Sequence, residues 1–282
     1  METVLELKNL SKQYDGFKLD NVDITLPKGS IMGFVGENGA GKSTAIKLIL
    51  NLIHRDGGEI TVFGRDNIKY EKQIKEDIGV VLDESSFPDN MNAESVGKMM
   101  KHIYKNWDAG VFAGRLEAFA LPPEKPVKDY SRGMKMKLAI AVALSHGAKL
   151  LILDEATSGL DPIVRDEILD IFMEFIQDEE HSIFLSSHII SDLEKIADYI
   201  TFIHKGKILF SEQKDDLLYK YGVLKCTAEE YEAIDKTAVK GCRKNRFGVE
   251  ALVVKQELPG GYTVDQAGIE DMMLFMIRGD EK

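Results

Sequence analysis

The stretch GENGAGKST, Gly36–Thr44, decides how the rest of this sequence is interpreted. It fits the pattern G-x-x-x-x-G-K-[ST], whose specified residues here are Gly36, Gly41, Lys42 and Ser43. Glycines let backbone N–H groups close around phosphate oxygens in conformations that a side chain forbids, and a lysine supplies a compact cation for the outer phosphates. The serine hydroxyl is a ligand for Mg²⁺. The stretch therefore predicts a loop that binds a nucleoside triphosphate.

The residues on both sides of this loop have the pattern that such a loop requires. The apolar run IMGFV, Ile31–Val35, predicts a buried strand before it. After the loop, apolar residues recur at helical spacing, at Ile46, Ile49, Leu50 and Ile53. A strand, a loop and a helix in this order direct the positive end of the helix dipole at a bound phosphate. This context favours nucleotide binding over a coincidental glycine-rich turn.

Composition limits the setting in which the chain works. Its 282 residues, 44% of them hydrophobic, are enough for one large or two modest domains. The net charge of −11 argues against a nucleic-acid partner, because such binding needs Lys and Arg to displace counterions. We expect no signal peptide, because METVLELKNL has neither a basic stretch nor an apolar h-region. We also expect no membrane-spanning helix, because the apolar run Leu138–Leu144 is far shorter than the roughly 20 residues that such a helix needs. We expect Cys226 and Cys242 to be packing residues in a reducing cytosol, since they lack metal-site spacing.

Two acidic residues and a histidine follow two further apolar runs. KLLIL leads into DEAT, which places Asp154 and Glu155 after a predicted strand, and SIFLSS ends at His188. Asp154 suits a ligand of the Mg²⁺ that bridges the phosphates, and Glu155 suits a general base for the attacking water. A bare acidic pair is more often a solvated loop, but the strand before it favours catalysis. Because parallel strands end at a common edge, we expect these residues to line that edge beside the phosphate loop, which predicts a nucleoside triphosphatase.

The segment YSRGMKMKLAIAVAL, Tyr130–Leu144, predicts a capped and largely buried helix. Ser131 is a good N-cap residue. Arg132, Lys135 and Lys137 lie in the opening turns, where cations oppose the helix dipole. The segment is either an ordinary core helix or a helix whose start receives an anion, and the cations favour the second interpretation.

The order of these segments resembles the nucleotide-binding subunit of an ABC transporter, over roughly residues 4–215. The resemblance implies ATP and Mg²⁺ as ligands and assigns the nucleotide contacts of the loop to Gly36, Asn38, Gly39, Ala40, Gly41, Lys42, Ser43 and Thr44. It also implies that Tyr14 stacks on adenine and that His188 is the switch histidine. In this family Ser131 and Gly133 would contact the γ-phosphate of ATP held by the opposite subunit of a head-to-tail dimer. Asp161, in SGLD, would communicate across that dimer.

Two parts of the sequence depart from the family pattern. The signature often reads L-S-G-G-Q, whereas this chain has Tyr130, Arg132 and Met134 at three of those positions. Ser131 and Gly133, the expected γ-phosphate contacts, are present.

The second departure is the loop Asp83–Asn92, where the family usually has a glutamine that senses Mg²⁺. Asp83 or Glu84 is nearest that place, and we expect Asp83 to be a metal ligand because carboxylates bind Mg²⁺. We also expect Phe87 to be an exposed aromatic that anchors a membrane subunit.

The resemblance implies an α/β fold with a P-loop ABC-type ATPase core, an antiparallel β subdomain and a small helical subdomain. We expect the ATPase domain at residues 1–215, its helical subdomain at about 87–130, and a small C-terminal α+β appendage at 222–282.

We expect an ATP-hydrolysing subunit that dimerises on ATP, as a homodimer or with a similar ATPase subunit, and drives separate integral membrane transporter subunits. It would lie at the cytoplasmic face of the membrane, and the variants YSRGM and LDES resemble exporters of antibiotics or peptides. The alternative is a soluble ABC ATPase that acts on DNA or ribosomes, but such proteins usually have paired cassettes or a long coiled coil, which this sequence lacks. A small GTPase is disfavoured because no N-K-x-D motif is present.

Overall fold

The computed structural model describes residues 2–82, 87–259 and 261–280. Its strands are β1 (Thr3–Tyr14), β2 (Phe17–Pro27), β3 (Ile31–Val35), β4 (Gly57–Val62), β5 (Arg65–Asp66), β6 (Ile78–Val81), β7 (Leu150–Asp154), β8 (Ser182–Ser187), β9 (Tyr199–His204), β10 (Lys207–Gln213), β11 (Tyr221–Cys226), β12 (Val239–Asn245), β13 (Gly248–Val254) and β14 (Val264–Gln266). Its α-helices are α1 (Lys42–Ile49), α2 (Glu71–Glu76), α3 (Ala93–Ile103), α4 (Ala109–Ala118), α5 (Arg132–Ala143), α6 (Pro162–Phe175), α7 (Ile190–Ile196), α8 (Lys214–Lys220), α9 (Ala228–Ala233) and α10 (Ile269–Asp280).

The centre of the molecule is a mostly parallel sheet with the strand order β10-β9-β3-β8-β7-β6. Only β10 runs antiparallel to its neighbour among these described strands. Every residue of β3, β7 and β8 is buried, as expected for parallel strands covered on both faces. Successive side chains of β3 therefore belong to different cores: Phe34 packs with α1, and Val35 packs with the helices of the opposite face. The strand predicted from IMGFV is confirmed.

A second sheet, β2-β1-β4-β5, is antiparallel. It covers α1 and the face of the parallel sheet that carries Phe34. Alternating residues of β2 are buried, which is the period-two pattern of a strand with one solvated face. This is the antiparallel subdomain expected from the sequence.

Helices α3 and α4 lie between β6 and β7 in the chain, within the region 87–130 that was expected to be helical. Their N-caps, Asn92 and Asp108, accept hydrogen bonds from backbone N–H groups of the first turn. Phe87 is only 9% exposed and belongs to the same hydrophobic core as Val96 of α3 and Phe112 of α4. The prediction that Phe87 is exposed is therefore wrong, because the two helices supply an apolar surface that the local sequence does not show.

The C-terminal part folds as the antiparallel sheet β12-β13-β11-β14 with α9 and α10. Thr227 and Glu230 form a capping box at the start of α9. Met272 of α10 shares a core with Leu193 of α7, so this sheet and its helix pack directly on the parallel-sheet part. Among the described residues, no helix combines the length and the apolarity needed to cross a membrane.

Candidate nucleotide-binding site

Three segments with polar residues meet at the carboxyl edge of the parallel sheet. The loop after β3, the acidic pair at the end of β7 and His188 after β8 all lie there, because β8 pairs with both β3 and β7. Open α/β sheets bind their ligands at this edge. The edge arrangement expected from the sequence is present in the structure.

The phosphate loop has the backbone that its glycines allow. Gly39 and Gly41 have φ of 82° and 116°, and α1 begins at the next residue, Lys42. The ammonium of Lys42 donates to the carbonyl oxygen of Gly36 at 2.7 Å. Lys42 is 6% exposed, so its charge is concentrated at the loop and at the positive end of the α1 dipole. The loop therefore has the backbone conformation and the cation that an anion site needs.

A cleft of about 690 Å³ opens over this loop. Its lining includes the predicted residues Asn38, Gly39, Gly41, Lys42, Ser43, Thr44, Glu155 and His188, together with Gly16, Phe17, Glu37 and Ser158. Gly36 and Ala40 form the loop beneath the lining. Tyr14 ends β1 two residues before Gly16, and its side chain is 42% exposed, with Lys12 Nζ 5.6 Å from the ring centroid. The tyrosine ring is therefore exposed, but it is not among the residues that line the cleft.

Glu155 connects the three segments. Its Oε1 lies 3.4 Å from Lys42 Nζ, and its Oε2 lies 2.6 Å from His188 Nδ1. Its φ of 54° lies in the left-handed region, where a residue other than glycine costs on the order of 1–3 kcal/mol and is found mostly at functional sites. The backbone turn at Glu155 places its side chain over the phosphate loop, where a general base for an attacking water is needed.

Asp154 is held by a residue that sequence reasoning missed. Ser186 Oγ donates to Asp154 Oδ1 at 2.5 Å, and the same hydroxyl accepts from the N–H of Glu155 at 3.3 Å. Ser186 is fully buried, and Asp154 is 8% exposed. The available signal was the pairing of β7 with β8, which puts Ser186 opposite Asp154. The serine thus orients the carboxylate of Asp154 and also contacts the backbone of Glu155.

The remaining predicted residues lie outside this cleft. Ser131 caps α5 by accepting from the N–H of Met134, and Asp161 caps α6. A Cβ built on Gly133 would lie 2.9 Å from a methyl group of Val164, so the starts of α5 and α6 are in close contact. The structure therefore groups these residues with each other and not with the phosphate loop of the same chain.

The charge conflict predicted at the start of α5 is partly resolved within the chain. Lys137 pairs with Glu167 of α6 at 2.5 Å. Arg132 lies over Gly159, where an added Cβ would be 2.9 Å from its guanidinium. Lys137 is therefore neutralised within the chain, and no anion is required to explain this cation. Asp83 and Glu84, the predicted metal position, lie outside the described residues.

A phosphate loop at the start of a helix, and an acidic pair whose glutamate is held over that loop, define a P-loop nucleoside triphosphatase. The family model described as ABC transporter matches residues 19–158. The bacitracin transport ATP-binding protein of Bacillus licheniformis is 37% identical over 212 residues, which cover 74% of this chain and 69% of that protein. The lantibiotic transport ATP-binding protein of Streptococcus pyogenes is 35% identical over 223 residues, with 75% and 92% covered.

A solved structure described as the ATP-binding subunit of an ABC transporter superposes with a TM-score of 0.68 at 25% identity. The match covers 76% of this chain and 91% of that one. The chain belongs to the ABC transporter family as an ATP-binding subunit, and its ATPase activity is coupled to transport. The family and the fold class predicted from the sequence are both confirmed.

Proposed function

We propose that this chain hydrolyses Mg²⁺-bound ATP within a head-to-tail dimer and drives the export of a peptide antibiotic or a similar peptide. The observation that carries the catalytic part is the Glu155 carboxylate, held between Lys42 and His188 over the phosphate loop. The names of the bacitracin and lantibiotic transport relatives support the class of substrate.

The side chains of the cleft have complementary roles in this proposal. The loop N–H groups and Lys42 orient the triphosphate. Because phosphate oxygens compete for the Lys42 ammonium, ATP binding releases one oxygen of Glu155, which then accepts a proton from the attacking water. His188, 2.6 Å from the other oxygen, keeps the carboxylate in position.

The residues at this edge fit a magnesium ion that arrives with the nucleotide. Among the described residues, no cluster of three or more His, Cys, Asp and Glu side chains is arranged to hold a metal. Mg²⁺ needs no such cage, since it usually takes one or two protein oxygens together with substrate phosphates and water. The hydroxyl of Ser43 and the oriented carboxylate of Asp154 are suitable donors. When bound, the ion would neutralise charge on the phosphates.

The exposed start of α5 supports the dimer in this proposal. Ser131 is exposed at the positive end of α5 and is not part of the cleft lining. In the proposed dimer, this helix start faces the γ-phosphate held by the partner subunit. Each ATP is then enclosed between one phosphate loop and one serine-capped helix.

The substitution Glu155→Gln tests the catalytic role of Glu155 and the ATP-dependent dimer. Glu155→Gln keeps the shape of the side chain but removes the base, so we expect turnover to fall by about 10²–10⁴-fold while ATP still binds. With ATP, this variant should elute as a dimer on size-exclusion chromatography, because a dimer that has closed on ATP reopens only after the ATP is hydrolysed. Near-normal phosphate release would exclude Glu155 as the base.

Substitutions at Ser131, made in the Glu155→Gln background, test the shared site. Aspartate and asparagine both cap helices as well as serine does. Ser131→Asp adds a negative charge that repels the γ-phosphate, so the ATP-dependent dimer should be lost, whereas Ser131→Asn should keep it. Equal dimer formation by both variants would contradict the shared site.

We further propose that a cytoplasmic helix of the membrane subunit binds between α3 and α4. A groove of about 680 Å³ opens there, and its lining includes the apolar residues Trp107, Phe112 and Leu116. Charged residues of both signs also line it, namely Glu94, Lys98, Lys101 and Glu117. A lining of apolar and charged residues suits an amphipathic helix.

A charge placed in this groove tests the docking site. Ala113 lines the groove, so Ala113→Asp should abolish co-purification of the membrane subunit. Ala118 is exposed on the same helix outside the groove, so Ala118→Asp is the matched control and should retain the subunit. Equal retention by the two variants would place the docking surface elsewhere.

A further inference from the structure

The phosphate loop rests on the end of β9 and on the turn that follows it. A Cβ on Gly36 would lie 2.4 Å from the carbonyl oxygen of Ile203, so only glycine permits this approach. The N–H of Gly206 donates to the carbonyl oxygen of Ala40 at 3.0 Å. The end of β9 therefore supports the loop at Gly36, and the turn after it supports the loop at Ala40.

His204 lies in this supporting segment with its imidazole almost completely buried. It is 3% exposed, and its Nδ1 lies 3.5 Å from Oε2 of Glu37. Within the part of the chain that the structure describes, neither ring nitrogen has a hydrogen-bond partner. Buried polar nitrogens are nearly always paired, and an unpaired one is costly, so an unsatisfied imidazole beside a ligand loop needs an explanation.

Glu37 is the acidic residue of the loop GENGAGKST, and its carboxylate lines the cleft. A carboxylate there opposes the binding of a triphosphate by like-charge repulsion. The 3.5 Å separation from His204 is slightly too long for a good hydrogen bond, and a small movement of the loop would close it. The side chain of Glu37 is 56% exposed, so it is free to make that movement.

We propose that His204 is a positioning residue for the phosphate loop, which acts by holding Glu37 through Nδ1 when the loop closes on ATP. The contact turns the carboxylate away from the phosphates and satisfies the buried ring nitrogen at the same time. A loop with an acidic residue beside its first glycine thereby remains a good anion site.

Two substitutions at His204 separate this role from simple packing. His204→Phe keeps an aromatic ring but removes the donor, so we expect the Kd for ATP to rise about tenfold, the effect of losing a hydrogen bond to a charged group. His204→Asn places an amide donor where Nδ1 was, so it should restore most of the affinity. Binding is measured by calorimetry with ATP, and melting temperatures report any loss of folding.

The same His204→Phe substitution in a Glu37→Gln background completes a double-mutant cycle. Without the carboxylate there is no charge to restrain, so His204→Phe should then raise the Kd by less than about twofold. A tenfold loss in both backgrounds, or equal losses for the phenylalanine and asparagine variants, would overturn the proposal and leave His204 as a packing residue. If His204→Asn fails to fold, the cycle with His204→Phe still decides between the two outcomes.

Discussion

Ser186→Ala is the substitution that most directly tests how the acidic pair is oriented. It removes the hydroxyl that donates to Asp154 Oδ1 at 2.5 Å. The loss for Glu155 is small, because its N–H also donates to the backbone carbonyl of Ser186 at 3.1 Å. A hydrogen bond to a charged group contributes about 1.5–3 kcal/mol, and water cannot easily replace it because Asp154 is 8% exposed. If that energy orients Asp154 in the transition state, kcat falls by about 10- to 100-fold.

The assay is phosphate release measured against ATP and against Mg²⁺ concentration. Ser187→Ala is the matched control, because Ser187 is also fully buried at the end of β8 but its hydroxyl accepts from the N–H of Ile189. We expect Ser186→Ala to need more Mg²⁺ for half-maximal activity and Ser187→Ala to resemble the unmodified chain. If the two variants have the same kcat and the same Mg²⁺ dependence, Ser186 does not orient the site.

His146 stacks on Tyr104 and contacts the backbone carbonyl of Glu76 through Nδ1. Burial lowers the pKa of its imidazole, so the imidazole takes up a proton more readily in the unfolded chain than in the folded one. The free energy of unfolding should therefore fall as the pH drops below about 6.5, and it should fall less in His146→Phe. Urea titrations at several pH values measure this, and the same pH dependence of the unfolding free energy in both proteins would contradict it. Phe87→Ala should cost about 3 kcal/mol and lower the Tm by roughly 6–12 °C, because Phe87 is a core residue. Phe247→Ala, at an 82% exposed side chain, should leave the Tm nearly unchanged, and an equal shift for both would refute the burial argument.

Several parts of this protein were predictable from the sequence because they depend on residues close together in the chain. The strand Ile31–Val35, the loop glycines and the start of α1 follow from hydrophobic patterning and backbone freedom within a few residues. The caps at Ser131 and Thr227 are local for the same reason, since each accepts from an N–H three residues later. Together these local patterns were enough to recognise the family.

The tertiary structure decided every contact that joins distant segments. Ser186 reaches Asp154, and His204 reaches Glu37, only because the strands adopt one particular order and register in the sheet. Phe87 is buried in the core that also contains Val96 of α3 and Phe112 of α4, although most residues around it in the sequence are polar. Periodicity tells which face of an element is apolar, but not which other element covers that face, because that depends on how the whole chain packs. The sequence alone therefore determined which residues could bind a nucleotide, and the packing of the sheet determined which other residues hold them in place.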